Sequence, residues 1–256
     1  MNTYPASETL VPQLQEAAEQ AARRGAKGPQ DLVTDADLAA QAAVREILLK
    51  AFPTHAFLGE ESPNLALLAD PERLTWVVDP LDGTTNYVHG FPCYATSVAV
   101  TQGGRVLAGA MFDPSANELF SAGLGLGATL NGQPIGVTHA ARLDEALVAV
   151  SLPPQCTAAS PDVQDLLAVI PRAQAIRRTG SAALNLAYVA CGRLDAHWAS
   201  HIHPWDVAAG LLMIAEAGGV VTAHDGGPFN LAKANFLAAS SAALHQDLLR
   251  TLTRRE

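Results

Sequence analysis

Asp79 and Asp82 are the residues of this chain best placed to do chemistry, in the run Trp76-Val-Val-Asp-Pro-Leu-Asp-Gly-Thr-Thr-Asn86. A short apolar strand, Leu74 to Val78, delivers both carboxylates to its carboxyl end, and Gly83 and Thr84 follow at once. Two carboxylates three residues apart across a Pro-Leu step can point at one spot, as a divalent-cation site requires. Hard Mg²⁺ prefers oxygen ligands and is held by a few carboxylates plus substrate phosphate. The amides of Gly83 and Thr84 can hold an oxyanion beside that cation, because N–H groups at a turn or helix start attract anions. The plainer alternative is a surface turn, since Asp-Pro and Asp-Gly are common turn formers.

Further acids tilt the balance toward a metal-dependent phosphate site. Glu60 and Glu61 follow the apolar stretch Ala56-Phe-Leu-Gly59. Asp206 lies between Trp205 and Val207 and opens an Ala/Leu-rich helix. A carboxylate there is costly to bury unless it is paired or bound to metal, although a plain N-cap would also account for it.

Taken together, these motifs resemble the inositol monophosphatase family. The matching segments are Asp31-Leu-Val-Thr-Asp-Ala-Asp37, Gly59-Glu-Glu-Ser62, Asp79-Pro-Leu-Asp-Gly-Thr-Thr-Asn86, Arg178-Thr-Gly-Ser-Ala-Ala-Leu-Asn185, Trp205-Asp-Val-Ala-Ala-Gly210 and Glu216-Ala-Gly-Gly219. They occur in the family's order and span nearly the whole chain. The resemblance implies a phosphoric monoester hydrolase, an inositol-1-monophosphatase by default, using two or three Mg²⁺ ions. Its fold would be a layered α/β/α/β/α sandwich of the inositol monophosphatase / fructose-1,6-bisphosphatase type. Residue by residue, Glu60, Asp79 and the carbonyl oxygen of Leu81 would hold one ion, and Asp79, Asp82 and Asp206 a second. Glu60 and the Thr84 hydroxyl would orient or deprotonate the attacking water, with Asp37 hydrogen-bonded to Thr84. Asp82, Gly83, Thr84, Ala182 and Asp206 would surround the phosphate. Lithium sensitivity and a homodimer are further implications of the family.

One position departs from the pattern. Seven residues before Asp206, family members that act on inositol phosphates carry a Glu that accepts hydrogen bonds from ring hydroxyls; here Ala199 stands there. A methyl group cannot accept those bonds, and the loss can cost a polyol a few kcal/mol of selectivity. Ser200 and His201 are the neighbours that could compensate. The substrate therefore stays open between inositol phosphate, a sugar phosphate, histidinol phosphate and a nucleotide 3′-phosphate. His201 and His203 alternate like a metal pair, but oxygen-rich Mg²⁺ sites seldom use imidazole, so we read them as supporting or specificity residues.

The elements that must position these groups alternate. Ser7 can cap a helix reaching about Arg24, a loop follows with Lys27, and Asp37–Ala51 reads as a second amphipathic helix. Strand-like runs follow at 75–78, 95–101, 106–112, 118–122 and 128–130. From residue 146 strands and helices interleave: strands at 146–151, 174–177, 196–198, 219–222 and 236–239, and helices at 161–170, 182–191, 207–217 and about 241–253. This predicts one phosphatase domain, with an α+β half over about 1–145 and an α/β half over about 146–256. The site should lie where the halves meet, because its acids come from both.

Composition excludes other classes. A net charge of −9 over 256 residues with no Lys/Arg cluster argues against a nucleic-acid surface. Cys93, Cys156 and Cys191 are too few and too scattered for a zinc or disulfide framework, and reduced thiols suit the cytoplasm. No apolar run approaches a membrane span, and the first residues lack a secretory pattern. A haloacid-dehalogenase-type Asp nucleophile needs Asp-x-Asp, whereas two residues separate Asp79 from Asp82. An EF-hand starting at Asp79 would end on Gly90 instead of Glu. The remaining rival is a non-catalytic regulatory protein of the same fold.

Overall fold

The computed structural model describes residues 35–153 and 155–253; the helix expected over 7–24 and the Lys27 loop lie outside them. Two sheets dominate. The first runs in the order β1 (Ala56–Gly59), β2 (Leu74–Asp82), β3 (Ala95–Gln102), β4 (Arg105–Asp113), β5 (Glu118–Gly123), β6 (Gly127–Leu130) and β7 (Gln133–Pro134). Its β1–β2 pair is parallel and its other pairs are antiparallel. The second sheet is ordered β11 (Val220–Thr222), β12 (Phe236–Ala239), β10 (Ala196–Ala199), β8 (Leu147–Val150) and β9 (Ala175–Arg177). In it β8 runs parallel to both β9 and β10, while β12 is antiparallel to its neighbours.

Period-2 patterning distributes the side chains of each sheet to two faces. Trp76, Val78, Val98 and Val100 pack with Ala40, Val44 and Leu48 of helix α1 (Asp35–Ala51). Their neighbours Val77 and Ala99 face the other way, into a central layer made by α4 (Ala182–Ala190) and α5 (Pro204–Glu216). Ala149, Phe236 and Ala238 of the second sheet close that layer from below. On the far face Val148, Val150, Trp198, Leu237 and Ala239 meet Val169 of α3 (Pro161–Val169) and Leu244, Leu248 and Leu252 of α6 (Ala242–Thr253). The layers are therefore α/β/α/β/α, as the resemblance implies. The central helices read as apolar all round because sheets cover both sides of them.

The approach between layers is close. A Cβ on Gly109 of β4 would lie 2.8 Å from the Ala209 Cα of α5, so only glycine lets this strand meet that helix. Among the described residues, no helix is long and apolar enough to cross a membrane.

Among the boundaries that differ from the sequence reading, two bear on the site. Strand β2 does not stop at Val78 but continues through Asp82. Helix α5 starts at Pro204 and not at Val207, because proline suits the first helical position and His203 with Asp206 forms a capping box. Sequence reading also missed the one-and-a-half-turn helix α2 (Thr84–His89).

Candidate active site

The geometry begins with an irregularity in β2. Asp79 pairs with Ser97 and Asp82 with Ala95, so three steps on β2 oppose two on β3. In a regular strand residues i and i+3 face opposite sides of the sheet; the extra residue of this bulge brings both carboxylates to one side. Pro80 fits there because a bulge needs no amide from it. Its carbonyl accepts the Thr96 hydroxyl at 2.9 Å, and the Leu81 amide donates to Asp79 Oδ1 at 2.9 Å. Gly83 then turns the chain at φ 88°, and a Cβ there would lie 2.8 Å from the Cys93 carbonyl oxygen. That turn starts α2, which places Thr84 at its first position.

Other elements converge on the same corner. One ligand oxygen from each of Asp79, Asp82 and Asp206 lies within 4.8 Å of the others. Asp206 comes from the third position of α5, where its Oδ2 accepts the His203 amide at 3.0 Å. It is thus the reciprocal member of a capping box, not the N-cap. Glu60 follows β1; its amide extends the β1–β2 ladder to Val78 O at 3.2 Å, and its carboxyl is hydrogen-bonded to Asp79. Asp37, buried on α1, accepts the Thr84 hydroxyl at 3.2 Å. The same hydroxyl lies 2.9 Å from the Leu81 carbonyl oxygen, so Leu81 and Asp37 share a single proton donor.

Electrostatics sets this corner apart. Burial, then the facing charges of Asp206 and Glu61, push the Glu60 carboxyl up to about 8. Asp79 stands well above the usual carboxylate range, first through burial and then through Glu60, Asp82 and Asp206. Asp206 is raised to about 7 by burial and Asp82, against the opposing His203 amide. Asp82 reaches only about 6, because the Ser181 hydroxyl and the amides of Ala183, Ala182 and Gly83 offset its burial. Acids crowded in this way hold protons at neutral pH or gather cations.

Ser181 is the contributor that sequence reading missed. As N-cap of α4 it accepts the Leu184 amide at 3.1 Å and donates to Asp82 Oδ2, which also accepts the Ala183 amide at 2.8 Å. A Ser before an Ala/Leu run does signal a cap, but nothing local indicates a partner 99 residues away. The Gly83 and Ala182 amides, expected to face phosphate, are directed at Asp82. Asn86 ties the parts together, donating to Cys93 O at 2.7 Å and Thr179 O at 2.8 Å.

The two specificity candidates fall differently. Ala199 is 1% exposed inside the apolar layer shared with α4 and α5, so its methyl faces core and not an open pocket. His201 is exposed, and its Nδ1 lies 2.9 Å from Oδ2 of the buried Asp162. His203 stacks on Trp205 with centroids 4.7 Å apart.

A five-layered fold with carboxylates from β2, α5 and the residue following β1 gathered at one strand end is a cation-dependent hydrolase architecture. Comparison with known proteins specifies it. The model of the inositol monophosphatase family matches residues 4–256. An inositol-1-monophosphatase of Synechocystis sp. is 40% identical over 223 residues, 87% of this chain and 77% of that protein. A Xylella fastidiosa protein named Nus factor SuhB is 42% identical over 196 residues, 76% of this chain and 70% of that one. The solved structure of inositol monophosphatase from Anabaena (Nostoc) sp. superposes with a TM-score of 0.86 at 36% identity, covering 97% of both chains. The chain belongs to the inositol monophosphatase family.

Proposed function

We propose that this protein is a Mg²⁺-dependent phosphomonoesterase acting on a small phosphorylated polyol or sugar, with inositol 1-phosphate the first substrate to test. The observation that carries this reading is the convergence of Asp79, Asp82 and Asp206 within 4.8 Å. The donor set fits a hard cation, being all oxygen and largely shielded from water. Burial and then the facing carboxylates push Glu60 to about 8, and a bound cation would relieve the charge part of that shift.

Glu60, Asp79 and the Leu81 carbonyl would hold one ion, and Asp79, Asp82 and Asp206 another, with a third near Glu60. When bound, such ions shield phosphate oxygens, activate water and stabilise the leaving alkoxide. The remaining work falls to the chain. With cations bound and its own proton displaced, Glu60 would take a proton from water as general base. Thr84 orients the same water by accepting from it while donating to Asp37. The Thr84 amide would face the phosphate, while the Gly83 and Ala182 amides join the Ser181 clamp in keeping Asp82 from swinging away. The two halves act as one catalytic unit, and we further assign a homodimer, a cytoplasmic setting and no nucleic-acid partner, in keeping with the net charge of −9.

Phosphate release from inositol 1-phosphate, sugar phosphates, histidinol phosphate and nucleotide 3′-phosphates, with Mg²⁺ and with chelator, tests the proposal. Metal-dependent turnover of a polyol or sugar ester is expected. A protein inert toward the whole panel at saturating metal is a regulatory member of the fold.

A further inference from the structure

Asp82 belongs to the first half of the chain, but what holds its carboxylate comes from the second. Ser181 and Ala183 both donate to its Oδ2, and they stand where the Thr179-Gly180-Ser181 turn enters α4. That turn is itself held from two sides. In front, Asn86 of α2 gives one amide N–H to the Thr179 carbonyl at 2.8 Å and the other to the Cys93 carbonyl at 2.7 Å. Both neighbours only accept, so the NH₂ group must face them, and both of its protons are used. Behind, the Thr179 hydroxyl accepts the Ser181 amide at 3.4 Å and donates at 2.8 Å to Oδ1 of Asn185, which is 1% exposed in α4.

Close packing turns these bonds into a latch. Gly180 has a φ of 89°, and a Cβ there would lie 2.7 Å from Asn86 Nδ2, so the side-chain amide rests on bare backbone. The Cys93 carbonyl that Asn86 holds also abuts Gly83, the residue after Asp82. Asn86 thus fixes the chain on both sides of Asp82, through Gly83 and through the Ser181 turn. Groups that orient a metal ligand from behind are typically worth about 10–100-fold in metal affinity.

Building on the metal-dependent phosphatase reading, we propose that Asn86, Thr179 and Asn185 are positioning residues. They hold the Ser181 clamp in register with Asp82 and so set the cation affinity of the Asp79, Asp82 and Asp206 group. The two halves of the chain are then latched at the ligand itself.

Calorimetric titration with Mn²⁺, beside thermal melts in chelator, tests this without relying on turnover. Asn86→Leu keeps the approximate shape and removes both donors, Gly180→Ala drives a methyl against the same amide, and Thr179→Val removes only the hydroxyl. Each should weaken Mn²⁺ binding about tenfold, whereas Thr179→Ser should stay within twofold of wild type. Asn86→Leu combined with Gly180→Ala should lose little more than either alone, because both open one contact. Leu248→Ala, in the apolar core under α6, should lower the melt yet leave Mn²⁺ affinity within twofold. Unchanged affinity in Thr179→Val and Gly180→Ala, which carry the test even if Asn86→Leu fails to fold, would overturn the proposal. So would an equal loss of affinity in Leu248→Ala. A wild-type protein that takes up Mn²⁺ but hydrolyses no ester would sink the phosphatase reading and leave the latch standing; one that takes up none would sink both.

Discussion

Without bound cations, the carboxylate cluster should make the protein less stable as the solution becomes more alkaline. Glu60 is raised from 4.5 to about 8 and Asp206 from 3.8 to about 7, so each keeps its proton in the fold and releases it on unfolding. Their contribution is full below the unfolded values and is lost as pH rises through the folded ones. Buried His197, lowered to about 3, works in the opposite direction, but only below its ordinary 6.5. The interval from pH 6.5 to 8.5 therefore isolates the acids. A proton retained in the fold costs about 1.4 kcal/mol per pH unit until it leaves, so Glu60 gives up roughly 2 kcal/mol by pH 8. For a chain of this size that lowers Tm by about 4–8 °C. Thermal melts in chelator at half-unit steps would measure it. Saturating Mg²⁺ should flatten or reverse the slope, since cations displace the same protons. A chelated protein whose Tm is level or rising across this interval would refute the crowded-acid account.

Three substitutions probe single links. Asp82→Asn should reduce turnover at least ~100-fold while leaving the melt nearly unchanged; the amide oxygen can keep accepting from Ser181 and Ala183, while its NH₂ is a poor cation ligand. Wild-type-like rates would remove Asp82 from the ligand set. Gly109→Ala drives a methyl to within 2.8 Å of the Ala209 Cα and should destabilise by about 1–3 kcal/mol, read by denaturant unfolding. A neutral result would show that the layers can separate freely. Ala199→Glu buries a carboxylate among α4, α5 and Phe236, so the melt should drop before any change in substrate preference becomes visible. Undiminished stability would mean that the position opens onto the site after all.

The chemistry was more legible than the geometry that enables it. Asp79, Asp82, Gly83 and Thr84 stand within six residues, so their types and order announce a phosphate and cation site directly. The bulge that turns both carboxylates to one side depends on how β3 pairs, and no local propensity encodes that. The layer order followed from resemblance; it becomes physically evident only when Val77 and Val78 are seen to serve different cores. The Ser181 clamp and the Asp162–His201 pair join residues 99 and 39 positions apart, beyond the reach of any pattern in one sequence. Ala199 shows the converse. Its identity was plain, but whether a methyl there faces substrate or core is decided by packing alone.

The central claim is that Glu60, Asp79, Asp82 and Asp206 act as one cation-binding unit. Crystals grown with Mn²⁺ and inorganic phosphate would test it most directly through the anomalous signal of the metal. We predict at least two peaks bridged by Asp79, with Glu60 on one, Asp82 and Asp206 on the other, and phosphate across both. Peaks elsewhere, or none at saturating Mn²⁺, would contradict the account.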